Sequence, residues 1–382
     1  MKRPAVERRH FLQLSGVTAL GSLTGCTGFL SGSESKKPKQ VSLSDFRGSG
    51  PLVESRPELS GTTIKDLPDL SGTLTLYLGG GEGGLYLKLI ELLESHYPDF
   101  EVDHRIESSS DLAQRIAEES DGGSSPADVF LAVDAGSLGF VADKGATVKL
   151  PNEATKAVPK EFHGQNDTWV GVAGRARSVP YNTKKYSASE LPDDIFAFAR
   201  DERFKNTLGW APTYEAFQAF VTAMRLIDGP KKTKQWLRGV KNQGVSRYRD
   251  EWFVSNAVAD GEVDVGFANH YYVLRAKASR KNASVDLAFT KNDAGALVNV
   301  AGAEILQGTE KKQLAIDFVR HLLSVEAQEF FATRTYAYPM IPGVPPVGGL
   351  PGIDELAPPS IDLRKLSDLE PTLGLMREVG VL

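Results

Sequence analysis

Residues 73–97 read TLTLYLGGGEGGLYLKLIELLESHY, a strand pattern, a glycine-rich loop and a helical pattern in succession. The segment from Thr73 to Leu78 is rich in β-branched and apolar residues and runs into glycines, which favours a strand. Apolar residues then recur at helical spacing from Leu85 to Leu93, and Pro98 ends the helix. A strand joined by a short loop to a helix is the unit from which parallel sheets are built.

The same alternation of strands and helices continues along the chain. Further strands are predicted at residues 101–106, 127–132, 208–210, 263–268 and 298–306. Further helices are predicted at residues 112–119, 136–144, 213–226, 231–240, 252–260 and 311–323. This order predicts an α/β fold with a parallel sheet and helices on both faces. The tail at residues 339–359 is rich in Pro and Gly and is expected to wrap the surface.

Composition limits the classes of function. The chain has 382 residues, which suggests two lobes, and 41% hydrophobic residues, which suffices for sizeable cores. A net charge of −5 argues against a nucleic-acid partner. Cys26 is the sole cysteine, so neither a disulfide within the chain nor a thiolate metal cluster can form.

The N-terminus resembles an export signal. Arg8 and Arg9 precede a short apolar run, as in a Tat signal, and the run is too short for a stable membrane span. The sequence Leu-Thr-Gly-Cys that ends at Cys26 resembles a lipobox. We therefore expect residues 1–25 to be removed and a lipid on Cys26 to anchor the protein at the outer face of the cell membrane. The alternative is that Cys26 is a buried core residue of an ordinary N-terminal helix.

Residues 26–71 are rich in Ser, Gly, Lys and Pro, which predicts a tether. Within it, the segment around Phe46 and the later Leu-Pro-Asp-Leu stretch are apolar enough to dock on the body. The glycine loop at residues 79–84 matches neither a dinucleotide-binding fingerprint nor a P-loop. We expect it to be a tight turn that brings the backbone close to a ligand.

Four segments, in order along the chain, resemble the ferric-iron periplasmic binding proteins. They are PADVF with the following DAG (residues 126–136), GVAGRARSVPYNT (171–183), GEVDVGFANHYY (261–272), and LLSVEAQ with the later YP (322–339). The NHYY segment is the most specific of these, because the others are shared by the wider class of extracellular solute-binding proteins.

The resemblance implies the two-lobed clamp of type II periplasmic binding proteins, in which ligand binds in the cleft between the lobes. Its two crossings are expected near Gly174–Val179 and Val298–Gly302. Lobe 1 would comprise residues 72–175 and 302–352, and lobe 2 residues 176–301 and 353–382. The resemblance also implies a monomeric, non-enzymatic receptor that delivers its ligand to the permease and ATPase subunits of an ABC importer.

The resemblance implies that Tyr181, Tyr271 and Tyr272 bind Fe³⁺. Ferric iron is a hard cation that prefers oxygen ligands, and a phenolate is an anionic oxygen donor. The neighbours Tyr271 and Tyr272 would point opposite ways on a regular strand, so both reach one ion only if the chain turns there. The alternative is that both are ordinary aromatic core residues. For His270 we expect a structural role, with hydrogen bonds to the backbone.

Ferric sites of this family are commonly completed by carbonate or phosphate. The candidate anion-binding residues are Arg175, Arg177, Asn256 and Asn269, together with the start of the helix near residue 213. Either arginine could instead form a salt bridge between the lobes. Many relatives place a His in the loop after the first strand, but here Glu82 is the one metal-competent side chain of that loop. Glu82 is therefore either the ligand from lobe 1 or a carboxylate placed to favour the helix dipole.

Two other functions remain open. One is a binding protein for an organic cation, a thiamine-like ligand or an oxyanion. The other is a secreted hydrolase, although neither G-x-S-x-G nor H-E-x-x-H is present. Asp128 and Asp134 could imitate a glycosidase pair, but we expect Asp128 to orient a turn at its strand.

Overall fold

The computed structural model describes residues 41–80, 83–353 and 355–382. The export signal, Cys26 and Glu82 lie outside these ranges. Within them, eleven strands form: β1 (Gly72–Gly79), β2 (Phe100–Glu107), β3 (Val129–Ala132), β4 (Val170–Asn182), β5 (Leu208–Trp210), β6 (Ser246–Arg247), β7 (Val265–Gly266), β8 (Ala268–Asn269), β9 (Val285–Ala288), β10 (Val298–Ile305) and β11 (Tyr338–Pro339).

The α-helices of the same residues are α1 (Leu43–Phe46), α2 (Gly83–His96), α3 (Ser109–Asp121), α4 (Ala135–Asp143), α5 (Asn152–Thr155), α6 (Glu215–Asn242), α7 (Glu251–Asp260), α8 (His270–Ser279), α9 (Lys312–Leu322), α10 (Val325–Phe330) and α11 (Glu370–Val379). A π-helix, Phe331–Thr335, continues α10. Among the described residues, none of the helices combines the length and the apolar composition that a membrane span requires.

The strands follow the order β2-β1-β3-β10-β4-β7-β5-β6. β1 is parallel to both β2 and β3, as the alternation of strands and helices predicts. β10 is antiparallel to β3 and β4, which the sequence did not indicate. On the far side of β4, β5 is parallel to β6 and β7. The α/β prediction is therefore confirmed.

β4 links the two parts of the sheet. Its residues 170–176 pair with β10, and its residues 179–182 pair with β9. Between them, Arg177 and Ser178 pair with β8. The predicted crossing at Gly174–Val179 falls within this strand. β4 is one continuous strand across both parts of the sheet. Arg175 and Arg177, two positions apart on this strand, therefore both lie near the boundary between those parts.

Several element boundaries differ from the prediction. The predicted helices at 213–226 and 231–240 both form, as the two segments of α6, and they meet at Gly229, which is non-helical with φ of +82° and is followed by Pro230. The predicted strand at 263–268 is split into β7 and β8. The helices α8 and α11 and the strand β9 were not predicted, because tertiary packing rather than a periodic apolar pattern defines these short elements.

Within the predicted tether, residues 41–71 pack on the body of the protein, as expected for the segment around Phe46 and for the Leu-Pro-Asp-Leu stretch that ends at Leu70. Val41, Phe46 and Ile64 are buried in the large hydrophobic core. The backbone of this segment is also bonded to distant residues, since Val325 N donates to Thr62 O at 2.9 Å and Ser60 N donates to Gly343 O at 3.0 Å. The few apolar residues of this polar segment are enough to hold it against the body of the protein.

Close packing explains why a glycine occupies position 79, where β1 ends and the glycine-rich loop begins. A Cβ on Gly79 would lie 2.2 Å from Ser109 Oγ, a distance that no side chain permits. Ser109 Oγ in turn accepts a hydrogen bond from Val133 N at 3.0 Å. The end of β1 thus packs directly against the start of α3, and both meet the end of β3.

Candidate metal centre

A cavity of about 600 Å³ lies where these strand ends face β4 and the starts of α6 and α8. One side is lined by Gly80, Ser108, Ser109, Ser110, Val133, Asp134 and Ser137. The other side is lined by Arg175, Arg177, Tyr214, Glu215, Ala216, Ala219, Asn269 and Tyr271. Leu297, Asn299, Leu366, Ser367 and Leu369 complete the lining. Helix N-termini and strand ends therefore converge on one space, an arrangement suited to anionic ligands.

The adjacent tyrosines lie where the chain turns from strand to helix. β8 ends at Asn269, and Tyr271 and Tyr272 occupy the first turn of α8. Their ring centroids lie 4.4 Å apart, with the ring planes inclined at 47°. Tyr271 lines the cavity and is 3% exposed. The chain therefore turns at the tyrosine pair, as it must if both side chains are to approach one ion.

Tyr214 joins this pair from a distant part of the sequence. It is the N-cap residue of α6, and its phenol oxygen lies 2.5 Å from that of Tyr272. Tyr214 was missed in the sequence, although it falls at the helix start where an anion site was expected. The phenol oxygen of Tyr271 accepts a hydrogen bond from a different residue, Asn269, whose Nδ2 lies at 3.4 Å. Three tyrosines thus line or adjoin one cavity.

Tyr181, the third phenolate implied by the resemblance, is not brought to this cavity. It lies in β4 opposite Val265 and Asp286, and it is buried in the large core. Burial raises the pKa of its phenol, and the nearby charge of Asp286 raises this pKa further. An oxygen in this setting resists deprotonation, so Tyr214 replaces Tyr181 in our candidate site.

Arg275 lies against the tyrosine pair from the next turn of α8. Its guanidinium carbon is 4.8 Å from the ring centroid of Tyr271 and 5.7 Å from that of Tyr272. A cation in this position attracts the electron-rich ring faces and stabilises negative charge that develops on the phenol oxygens. The four-residue spacing from Tyr271 could have indicated this contact, because residues four apart are neighbours on a helix.

Arg177 and Asn269 form a buried polar network at the edge of the cavity. Arg177 is 3% exposed and forms an ion pair with Glu251, which is fully buried. Arg177 Nη1 also donates to Asn269 Oδ1 at 3.2 Å, and Asn269 N donates to Glu251 Oε2 at 2.7 Å. Among the described residues, Arg177 Nη2 is buried without a hydrogen-bond partner. An anion in the cavity would provide one.

Arg175 ties the two sides of the cavity together. It lines the cavity from β4, and its Nη2 donates to the carbonyl oxygen of Val133 at the end of β3. Asn256, by contrast, is not brought to the cavity. Its Nδ2 donates to Trp252 O within α7 at 2.7 Å, and its Oδ1 accepts from Arg280. Both ends of the Asn256 amide are therefore engaged elsewhere.

His270 has the structural role that we expected. It is fully buried, its Nε2 bonds Tyr336 O at 2.8 Å, and its Nδ1 bonds Ala176 N at 3.2 Å. An Nε2-protonated neutral ring satisfies both contacts. Burial lowers the pKa of His270 to about 4, so the ring is neutral at physiological pH.

Asp128 and Asp134 each accept hydrogen bonds that tie neighbouring segments of the fold. Asp128 accepts hydrogen bonds from Thr75 N at 2.7 Å and from the Thr309 hydroxyl at 2.6 Å. Asp134 caps α4 and accepts from Ser137 N at 2.8 Å. The expectation that Asp128 orients a turn is confirmed. Among the described residues, no group of three or more His, Cys, Asp or Glu side chains is placed to hold a metal.

Comparison with known proteins decides the family. The model of the family described as "Bacterial extracellular solute-binding protein" matches residues 124–357, more than half of the chain. The chain belongs to this family. The solute-binding protein is 32% identical to the major ferric iron-binding protein of Neisseria meningitidis serogroup B over 278 residues, 71% of this chain and 82% of the relative. It is 29% identical to iron uptake protein A2 of Synechocystis over 286 residues, which cover 72% of this chain and 82% of the relative.

Solved structures confirm the fold of this solute-binding protein. Iron-bound HitA from Pseudomonas aeruginosa matches with a TM-score of 0.67 and 31% identity, over 81% of this chain and 99% of HitA. The Trichodesmium protein IdiA (FutA), in complex with iron and citrate ligands, matches with a TM-score of 0.67 and 26% identity, over 81% and 99% of the two chains. The fold is the two-lobed type II periplasmic binding-protein fold, and the resemblance to ferric-iron binders is confirmed.

Proposed function

We propose that this chain binds ferric iron in the cavity through the phenolate oxygens of Tyr214, Tyr271 and Tyr272 and delivers it to an ABC importer. The observation that carries the proposal is the 2.5 Å contact between the phenol oxygens of Tyr214 and Tyr272, next to the buried Tyr271. Iron would replace the phenol protons, since a metal binds the deprotonated ligand. The relatives named for ferric iron support this ligand.

A small anion completes the coordination in our proposal. Carbonate, phosphate or a carboxylate chelator would face Arg175, Arg177 and Asn269, with the backbone N–H groups at the start of α6 beside it. Arg177 Nη2 would gain the partner that it lacks among the described residues. Three phenolates already neutralise the charge of Fe³⁺, so the charge of the anion itself would be offset by the guanidinium group of Arg175, because isolated charge in a low-dielectric cavity is costly.

Iron binding is tested by spectroscopy. Iron-stripped protein titrated with ferric nitrilotriacetate in bicarbonate buffer should develop the visible charge-transfer band of a phenolate–Fe³⁺ complex. Metal analysis after gel filtration should give one iron per chain. If the wild-type protein stays colourless and retains no iron, the phenolate site is disproved, and an organic ligand becomes the better hypothesis.

Glu82 remains our candidate ligand from the first lobe. The described residues on that side of the cavity supply serine hydroxyls and Asp134, which is already occupied as a helix cap. A metal ligand from Glu82 would let iron hold the two lobes together. Glu82→Gln should then weaken ferric affinity and leave a more open protein by small-angle scattering. Unchanged affinity would mean that the helix-dipole explanation holds instead.

The lobe boundaries and the export route are also parts of the proposal. We place the lobes at residues 72–175 with 302–352 and 176–301 with 353–382, with hinge residues in β4 and β10. The family is extracellular, and the twin arginines and lipobox suggest Tat export followed by lipid attachment at Cys26. Cys26→Ser should release the protein from the membrane fraction, and Arg8→Lys with Arg9→Lys should block export. Unchanged membrane retention and export would refute both steps.

A further inference from the structure

We propose that the N-terminal strap, residues 41–58, positions Tyr271 for ligand binding by acting through the π-helix, Tyr336 and His270. The inference rests on the proposed function, because it assigns a supporting role toward one of the three phenolates. The strap is the first described segment of the chain, and it precedes β1 of the two-lobed body.

The first contact of the strap is a buried charge cluster on α10. Arg56 Nη2 lies 2.6 Å from Glu329 Oε2, and Arg47 Nε lies 2.6 Å from Glu329 Oε1. The Glu329 side chain is fully buried and that of Arg56 is 4% exposed. Arg56 also donates to the carbonyl oxygens of Pro345 and Pro346, at 2.7 and 3.0 Å. Buried charge-assisted hydrogen bonds of this kind fix geometry, because losing one partner leaves a buried charge unpaired.

The second contact is with the π-helix that continues α10. Gly48 N donates to Thr333 Oγ1 at 2.8 Å. In the other direction, Arg334 Nε donates to Phe46 O at 2.8 Å and its Nη2 donates to Asp45 O at 2.9 Å. π-Helices are rare and occur frequently at functional sites. In this protein the strap forms hydrogen bonds with two residues of the π-helix, Thr333 and Arg334.

The π-helix ends at the residue that holds His270. Tyr336, directly after it, has a left-handed conformation with φ of +61°. Its carbonyl oxygen accepts the 2.8 Å hydrogen bond from His270 Nε2. His270 is the first residue of α8 and precedes Tyr271, and their rings meet edge to face at 5.6 Å. The position of the Tyr336 carbonyl group therefore determines where His270 and the start of α8 lie, and with them the position of Tyr271.

The strap also touches both hydrophobic cores. Phe46 is buried in the large core cluster, whereas Leu52 packs with Tyr336 against the second cluster, which contains Val273 and Leu274 of α8. A strap that packs on both clusters restricts movement of one relative to the other. Ligand affinity increases when such restriction holds the binding geometry before the ligand arrives.

The test uses Gly48→Ala in the full-length chain. A Cβ on Gly48 would lie 2.4 Å from the carbonyl oxygen of Thr333, so the strap must move off the π-helix. We expect the ferric affinity to fall at least about fivefold, the lower end of typical coupling between sites. Hydrogen exchange should accelerate at residues 331–336 and 270–274. The matched control is Gly374→Ala, where the added Cβ meets nothing within 4 Å.

A double-variant cycle tests the route. If the strap acts through His270, the losses of affinity in Gly48→Ala and His270→Gln should not add in the double variant, because coupled residues show non-additive effects. Glu329→Gln keeps the shape of the side chain but leaves Arg56 without its buried charge partner, so it is a second, independent perturbation of the strap and should also lower the ferric affinity. Additive losses, or faster exchange of the strap with unchanged affinity, would overturn the proposal. A wild type without the phenolate–Fe³⁺ band would instead refute the proposed function.

Discussion

The phenol oxygens of Tyr214 and Tyr272 lie 2.5 Å apart, although the two residues are 58 positions apart in the sequence. Tyr214 precedes the first turn of α6, and Tyr272 lies in the first turn of α8. Two helix starts therefore place two phenols within hydrogen-bond distance at the cavity. A hard cation that displaces their protons would find two anionic oxygens already close together.

Removing either phenol oxygen should therefore impair iron binding. Tyr214→Phe and Tyr272→Phe keep the aromatic ring and delete one oxygen each. We expect each variant to lower ferric affinity by at least about tenfold, as ligand-environment changes at metal sites do, and to shift or bleach the visible band. Affinity is measured by competition with citrate, and the band by absorbance of the iron-loaded protein.

Tyr181→Phe is the control for these variants. Tyr181 belongs to the same residue type, but it is buried in the core beside Asp286 and does not line the cavity. Its substitution should leave the band and the affinity unchanged. A loss of colour in Tyr181→Phe with retention in Tyr214→Phe would show that the ligand set implied by the sequence resemblance is right and ours is wrong.

Iron release should be steep in pH. The ordinary pKa of a tyrosine is near 10, so at neutral pH each phenol gives up a proton when it binds iron. Affinity should therefore fall as pH is lowered, by up to roughly three factors of ten per pH unit for three such ligands. Following the visible band against pH in wild type and in Tyr214→Phe should show a shallower slope in the variant. Equal slopes would exclude Tyr214 as a ligand.

The fold could be predicted from local sequence patterns, whereas the candidate site depends on contacts between residues that are distant in the sequence. The strand at 73–78 and the helix from Leu85 carry local periodic patterns, and both formed close to the predicted positions. Tyr271 and Tyr272 were chosen as candidate ligands because NHYY is a specific local motif. Tyr214 was not among the candidates, because its contact with Tyr272 joins residues 58 positions apart. Tyr181 was chosen from its motif alone, and its burial in β4 was not visible in that motif.

Arg177 and Glu251 make a buried ion pair whose loss should lower the stability of the protein. Glu251 is fully buried, and its carboxylate contacts both Arg177 and the backbone of Asn269. Glu251→Gln removes the charge and leaves Arg177 uncompensated, which typically costs about 3–5 kcal/mol for a buried pair. We expect this decrease in the free energy of unfolding of the iron-free protein, measured by denaturant titration.

A double variant separates the ion pair from its individual charges. Arg177→Met with Glu251→Leu removes both charges and keeps apolar volume, so it should be less destabilising than Glu251→Gln alone. The double variant should still lose affinity for the anion, because the unpartnered Arg177 Nη2 is gone with it. If the double variant is the less stable one, the pair contributes net stability, and our explanation of Glu251→Gln is wrong.

Glu304 should destabilise the folded protein more as pH rises. It lies in β10 opposite Phe130, it is fully buried, and neither carboxylate oxygen has a hydrogen-bond partner among the described residues. Burial raises the pKa of Glu304 well above its ordinary value of 4.5. The folded protein therefore keeps a proton that the unfolded chain loses above pH 4.5, so stability contributed by this proton falls as pH increases.

Glu304→Met replaces the carboxyl group with an apolar side chain of similar length and should raise the free energy of unfolding. We expect a gain of about 1–3 kcal/mol, the usual cost of burying an unsatisfied polar group, at pH 8 and a smaller gain at pH 5. The exposed Glu101→Met serves as the control, because its carboxylate is already in water and should gain little at either pH. Denaturant titrations of the iron-free proteins at both pH values make the comparison. An equal gain at pH 5 and pH 8 would show that Glu304 does not hold a proton in the folded state, and that the benefit of methionine comes from packing alone.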